Sequence, residues 1–153
     1  MDWYVFPIQA LSLAASPAKV YDWRTDILSK DFDPLYVKSL LNDQGSKPID
    51  DVLMDQKVFS GVGNILRNEA LYRAGIHPLS VTGKIPATKI TRLVKETAKY
   101  AQLFYQELET NERHTFAVYQ QEYAPDGSAV TMMISPKSKR KIFFSEHKQK
   151  LYQ

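Results

Sequence analysis

The sequence predicts a mainly α fold that ends in a C-terminal antiparallel β-hairpin finger, an α+β arrangement with the strands last in the chain. Three observations carry this. Between positions 34 and 108, apolar residues recur with a period near 3.6 in separate blocks. Proline and glycine punctuate those blocks where helices start and stop. After Asn111 the texture changes to short runs rich in β-branched and aromatic residues, parted by turn signals.

Asp33-Pro34 is a good helix start, an N-cap side chain followed by proline at the first helical position. Tyr36, Val37, Leu40 and Leu41 then share one face, and Gln44 to Pro48 closes the helix. A second helix is expected from about Ile49 to Phe59, with Ile49, Val52, Leu53 and Gln56 on one side. A turn over 60–63 leads into a third helix from Asn64 to Ala74. Its end is well marked: Gly75 suits the left-handed position, Ile76 the apolar contact back, and Pro78 forbids continuation. A long helix is expected over 86–108, with Ile90, Val94, Thr97, Ala101, Tyr105 and Leu108 inward. "HTFAVYQQ", "SAVTMMIS" and "KRKIFFSE" read as three strands, with "APDG" and "SPKS" as the turns between them. In the first thirty residues, "WYVF" and "KVYDW" read either as strand remnants or as an irregular lead-in.

With 153 residues, 44% of them hydrophobic, the chain has enough apolar length for a sizeable core. The net charge of +3 leans only mildly toward polyanions, but six Lys/Arg against one acid between Lys137 and Lys150 concentrate it. With no cysteine, disulfides and thiolate metal sites are excluded, which fits an intracellular protein. No stretch reaches transmembrane length. The apolar opening carries an acid at Asp2 and no early Lys/Arg, against a signal peptide.

The stretch "VFSGVGNILRNEALYRAGIHP" carries the functional signal. Gly61 and Gly63 remove side-chain bulk just before a helix N-terminus, where unpaired amides and the positive dipole end favour an anion. Asn64 adds a side-chain donor. The turn lacks the Gly-Lys-Ser/Thr of a P-loop and the third glycine of a dinucleotide fingerprint. A helix–turn–helix gripping a nucleic-acid backbone suits both absences. The plain alternative is a tight αα-corner whose glycines only permit close packing.

Met54-Asp55-Gln56, Gly61-Val62-Gly63-Asn64, Glu69 and Ala74 to Pro78 together resemble the helix–two-turn–helix segment of the formamidopyrimidine-DNA glycosylase / endonuclease VIII family. The likeness covers about Asp26 to Gln153. It implies that Asn64 and the amides around Val62 and Gly63 bind a phosphate beside a damaged nucleotide. It implies further that residues 26–112 form the helix–two-turn–helix DNA-binding domain and 113–153 a finger, with 1–25 a lead-in from a missing N-terminal domain.

Two departures matter. The family's catalytic residue is an N-terminal proline followed by glutamate; this chain begins Met1-Asp2-Trp3, and Pro7 reads as an ordinary loop proline. A terminal secondary amine is needed for the attack on the sugar and the Schiff base. No catalytic residue is therefore assigned, and the chain is expected to be either a C-terminal piece or a stand-alone DNA-binding remnant, inactive alone. The family usually ends in a four-cysteine zinc finger, but here Ser145 and Lys148 take cysteine positions, and His147 alone cannot hold zinc. The finger is expected to be zinc-less, with no metal and no cofactor. By the family's spacing, Arg140 matches the finger arginine that contacts phosphates, with Lys139 beside it. Glu69 is expected to be a structural acceptor supporting the turn, and His77 a helix-stop residue bonded to backbone. His114 has no evident partner.

The implied function is DNA binding, as the C-terminal half of a base-excision-repair glycosylase and abasic-site lyase for oxidised bases. The expected partner is damaged or abasic double-stranded DNA held through its phosphates, with no membrane and a monomeric chain. A helix-hairpin-helix module, a ribosomal-protein-like RNA binder and a protein-interaction remnant are the alternatives.

Overall fold

In the computed structural model, residues 21–153 are described. The expectations for "WYVF" and Pro7 lie outside them. Among the described residues, four α-helices precede two strands: α1 (Pro34–Asn42), α2 (Ile49–Leu53), α3 (Asn64–Ala74), α4 (Ala87–Glu109), β1 (Thr131–Ile134) and β2 (Lys141–Phe144). The mainly α fold with a C-terminal hairpin is thus the one the sequence predicts.

α1 starts as its cap residues dictate. The Asp33 carboxylate accepts from the amides of Leu35 and Tyr36, and Pro34 occupies the first turn. α3 ends on Gly75 at φ 74°, and the Ile76 amide reaches back to the Leu71 carbonyl. α3 packs along α4, and both contribute to one core. Leu66, Leu71, Ile76, Leu93 and Phe104 in it are nearly inaccessible. Truncating any of the leucines to alanine costs about 2–5 kcal/mol.

Three expectations are corrected. α2 stops at Leu53 rather than Phe59. The Asp55 carboxylate takes the Lys57 amide, and the Asp55 carbonyl takes those of Val58 and Phe59, so the chain leaves α2 in a separate turn. The inward stripe of α4 runs Ile90, Leu93, Val94, Thr97, Tyr100, Ala101 and Phe104, which leaves Leu108 40% exposed. Finally, "HTFAVYQQ" forms no strand; its amides go to a carboxylate on α3, described below. The finger is two-stranded, with Thr131 opposite Phe144 and Ile134 opposite Lys141. Of "KVYDW", Lys19 and Val20 lie outside the described residues; Tyr21 and Asp22 run into a short 3-10 turn at Trp23–Thr25, after which Asp26 pairs with Ser60. No helix among the described residues is long and apolar enough to cross a membrane.

Candidate nucleic-acid interface

The turn before α3 is held in shape by one side chain. Gln56 donates to the Val62 carbonyl at 3.0 Å and accepts from the Gly61 amide at 2.9 Å. Gly61 sits at φ 95°, a region costly for any residue with a Cβ. Ser60 is anchored on the other side, its hydroxyl 2.8 Å from that of Tyr21. The Val62 side chain is fully buried, and its amide makes a long 3.4 Å contact with the Phe59 carbonyl. Gly63 is the N-cap of α3 and supplies no capping side chain. The first-turn amides at the positive end of this eleven-residue helix therefore have no capping side chain from Gly63.

The finger docks against this same end. The Asn64 Nδ2 donates to the Lys141 carbonyl at 3.2 Å, and the Asn68 Oδ1 accepts from the Phe143 amide at 2.6 Å. Asn64 and Asn68 lie four apart, on one helix face. Behind them the buried Ser135 hydroxyl donates to the Asp50 carboxylate of α2 at 2.9 Å. The hairpin loop closes through the Ser135 amide to the Arg140 carbonyl at 2.9 Å and the Lys139 amide to the Ser135 carbonyl at 3.0 Å. Lys139 takes φ 61°, unusual for a residue other than glycine, and Lys139 and Arg140 are both exposed. Arg140 thus stands at the hairpin turn, one residue before the strand position that Asn64 holds. Asn64 is half-buried and clamps the finger.

Below Asn64 lies Arg67, with none of its surface accessible. Its Nη2 donates to the Asn64 Oδ1. Burial holds the guanidinium below its usual pKa, with Asp50 and Asp51 opposing that shift. Burial likewise pushes the Asp50 carboxyl up, against the bond from Ser135.

The profile of the formamidopyrimidine-DNA glycosylase H2TH domain matches residues 24–113. The chain belongs to the Fpg/Nei family. The human endonuclease 8-like 2 is 39% identical over 121 residues, 78% of this chain and 35% of that protein. The formamidopyrimidine-DNA glycosylase of Shewanella denitrificans is 43% identical over 94 residues, 61% of this chain and 32% of that protein. The chain therefore spans about a third of the length of these relatives. A viral DNA glycosylase structure superposes with a TM-score of 0.78 at 25% identity, covering 91% of this chain and 54% of that one. A Lactococcus lactis glycosylase bound to DNA containing an abasic site has the same fold, with a TM-score of 0.70 at 22% identity over 82% of this chain and 49% of that one.

Glu69, His77, His114 and the finger-base residues Ser145 and Gln149 have structural partners. Glu69 is fully buried, and its carboxylate accepts from the amides of Ala117, Val118 and Tyr119 at 2.8–3.0 Å. It is an acceptor, as expected, but for the lead into the finger; Gln56 supports the glycine turn. The His77 Nδ1 accepts from the Leu79 amide, and its ring packs on Phe144 at 4.4 Å. Burial lowers its pKa, with Glu146 opposing. His114 stacks on Phe104 at 4.2 Å and pairs with Glu107 at 3.3 Å. At the finger base, the Ser145 and Ser128 hydroxyls meet at 2.7 Å, and Gln149 joins the Ser145 amide to the Ile76 carbonyl. Sequence reading missed Gln56 and Arg67 as shapers of the turn. The spacing of Asn68 from Asn64 was the one local signal that they act together.

Proposed function

We propose that this chain is the DNA-holding part of a base-excision-repair glycosylase and abasic-site lyase for oxidised bases, and that it grips damaged or abasic duplex DNA by its phosphates. The reading gives Asn64 Nδ2 and the backbone around Val62 and Gly63 one phosphate, and Arg140 with Lys139 a neighbouring one. The carrying observation is the hydrogen bond from Asn64 to the Lys141 carbonyl, which sets the glycine turn beside the arginine loop. A helix N-terminus and a guanidinium on one face suit an anionic backbone. No residue discussed above is given a catalytic role. The protein acts as a monomer inside the cell, where its DNA is.

The test compares affinity for three probes at one salt concentration: a duplex with a tetrahydrofuran abasic analogue, the same duplex intact, and a structured RNA. The expected order is abasic duplex, intact duplex, RNA. Preference for RNA, or no binding to any, would overturn the reading.

A further inference from the structure

Arg67 is a costly side chain to bury, and its hydrogen bonding only partly offsets that cost. It is fully inaccessible, yet its Nε and Nη1 make no hydrogen bond, and neither does the buried Oδ1 of Asp50. Unpaired buried donors on a charged group oppose folding. The bond that Arg67 does make is to Asn64.

We propose that Arg67 is a positioning residue that fixes Asn64 as a hydrogen-bond donor toward the phosphate. This rests on the phosphate-binding role given to Asn64 above. The argument is one of atom types. An asparagine amide carries a donor at one end and an acceptor at the other, and a simple flip exchanges them. Arg67 has only donors, so the Asn64 atom that faces it must be the oxygen. The atom that faces outward must then be Nδ2. In the fold, Nδ2 rests on the Lys141 carbonyl. A phosphate oxygen arriving at the helix end meets the same donor. With the amide reversed, it would meet an oxygen and be repelled. The guanidinium also places a positive charge beneath the site, in a medium that screens it poorly.

Arg67 therefore acts through Asn64, and this is separable from an independent contribution. A double-mutant cycle combines Arg67→Met with Asn64→Ala, read as affinity for the tetrahydrofuran duplex. In the parent background, Arg67→Met should weaken binding at least fivefold. In the Asn64→Ala background, it should weaken binding less than twofold. Arg67→Lys, which keeps a donor-only group and the charge, should recover most of the loss. Equal losses in both backgrounds, or no loss in the parent, would overturn the proposal. The side-chain amide resonances of Asn64 provide a reading that needs no DNA. They should be shifted and slow to exchange in the parent and in Arg67→Lys. In Arg67→Met they should collapse toward random-coil positions while core amides stay unchanged. Unmoved Asn64 resonances in Arg67→Met would refute the orientation. If Arg67→Met does not fold, the Arg67→Lys cycle decides: lost Asn64 shifts with retained affinity would refute the proposal. Failure of Asn64→Ala to weaken binding would instead strike the phosphate reading, with the resonances still reporting on Arg67.

Discussion

Replacing Asn64 should separate holding the fold from holding DNA, because its two ends serve different partners. Asn64→Ala removes the acceptor for Arg67, leaving a fully buried guanidinium without that bond. An unsatisfied buried donor costs about 1–3 kcal/mol, more when charged. The half-exposed bond to Lys141 adds about 0.5–1 kcal/mol. Stability in urea should therefore fall by about 2–4 kcal/mol. Duplex affinity of the folded fraction should fall by about 1–2 kcal/mol, roughly five- to thirtyfold. Asn64→Asp loses the bond to the Lys141 carbonyl and sets an acceptor against it. It keeps the acceptor for Arg67, now as an ion pair, and adds a negative charge to the first turn of α3, which the helix dipole favours, so the terms offset. Its stability should stay within about 1 kcal/mol of the parent. Its DNA affinity should drop below even that of the alanine variant, since a carboxylate would face a phosphate. Urea denaturation and fluorescence anisotropy measure the two quantities. An aspartate variant as unstable as the alanine variant, or one that binds DNA like the parent, would refute the reasoning.

Other perturbations test the surroundings. Glu69→Gln leaves one oxygen for three amides and turns an NH2 toward them; it should cost about 3 kcal/mol, with lost exchange protection at Ala117, Val118 and Tyr119. Unchanged protection would show that the carboxylate is not what holds that segment. Arg140→Ala should weaken binding to all duplex sequences alike and reduce the slope of log affinity against log salt by about 0.9; parallel salt plots for mutant and parent would remove Arg140 from the phosphate contacts. His77, its pKa lowered in the fold, takes up its proton more readily when unfolded, so its contribution to stability should shrink as pH falls below about 6.5. His77→Gln should flatten that part of the pH–stability curve, and an identical curve would assign the loss to other groups.

What was legible in the sequence were features whose cause is local. Asp33-Pro34 and the stretch from Asn64 to Gly75 declare their helix ends through their own side chains and glycines, and α1 and α3 begin and end there. What was not legible depends on partners far along the chain. The run from His114 to Gln121 has strand composition, but a carboxylate about fifty residues earlier takes three of its amides before a strand partner can. α2 was read too long because the Asp55 carboxylate competes locally with helix continuation. At the site, the glycine turn and the basic loop can be picked out by pattern alone. That Asn64 faces a finger carbonyl 77 residues away, and that a buried arginine holds its other end, belongs to tertiary structure.

The last forty residues return at three points to one short helix in the middle of the chain. β2 meets its start through Asn64 and Asn68, residues 117–119 meet its centre through Glu69, and Gln149 and Lys150 meet the turn at its end. As the chain leaves the ribosome, α3 and its neighbours emerge first, with Glu69 and Asn68 lacking their partners. Synthesis at about 5–20 residues per second keeps Glu69 waiting roughly 2–10 seconds for residues 117–119 and Asn68 roughly 4–15 seconds for Phe143. The central helix is thus the last element to be completed. A nascent chain arrested near residue 115 should display it to chaperones as an unfinished surface, and a premature stop there would remove its cover for good.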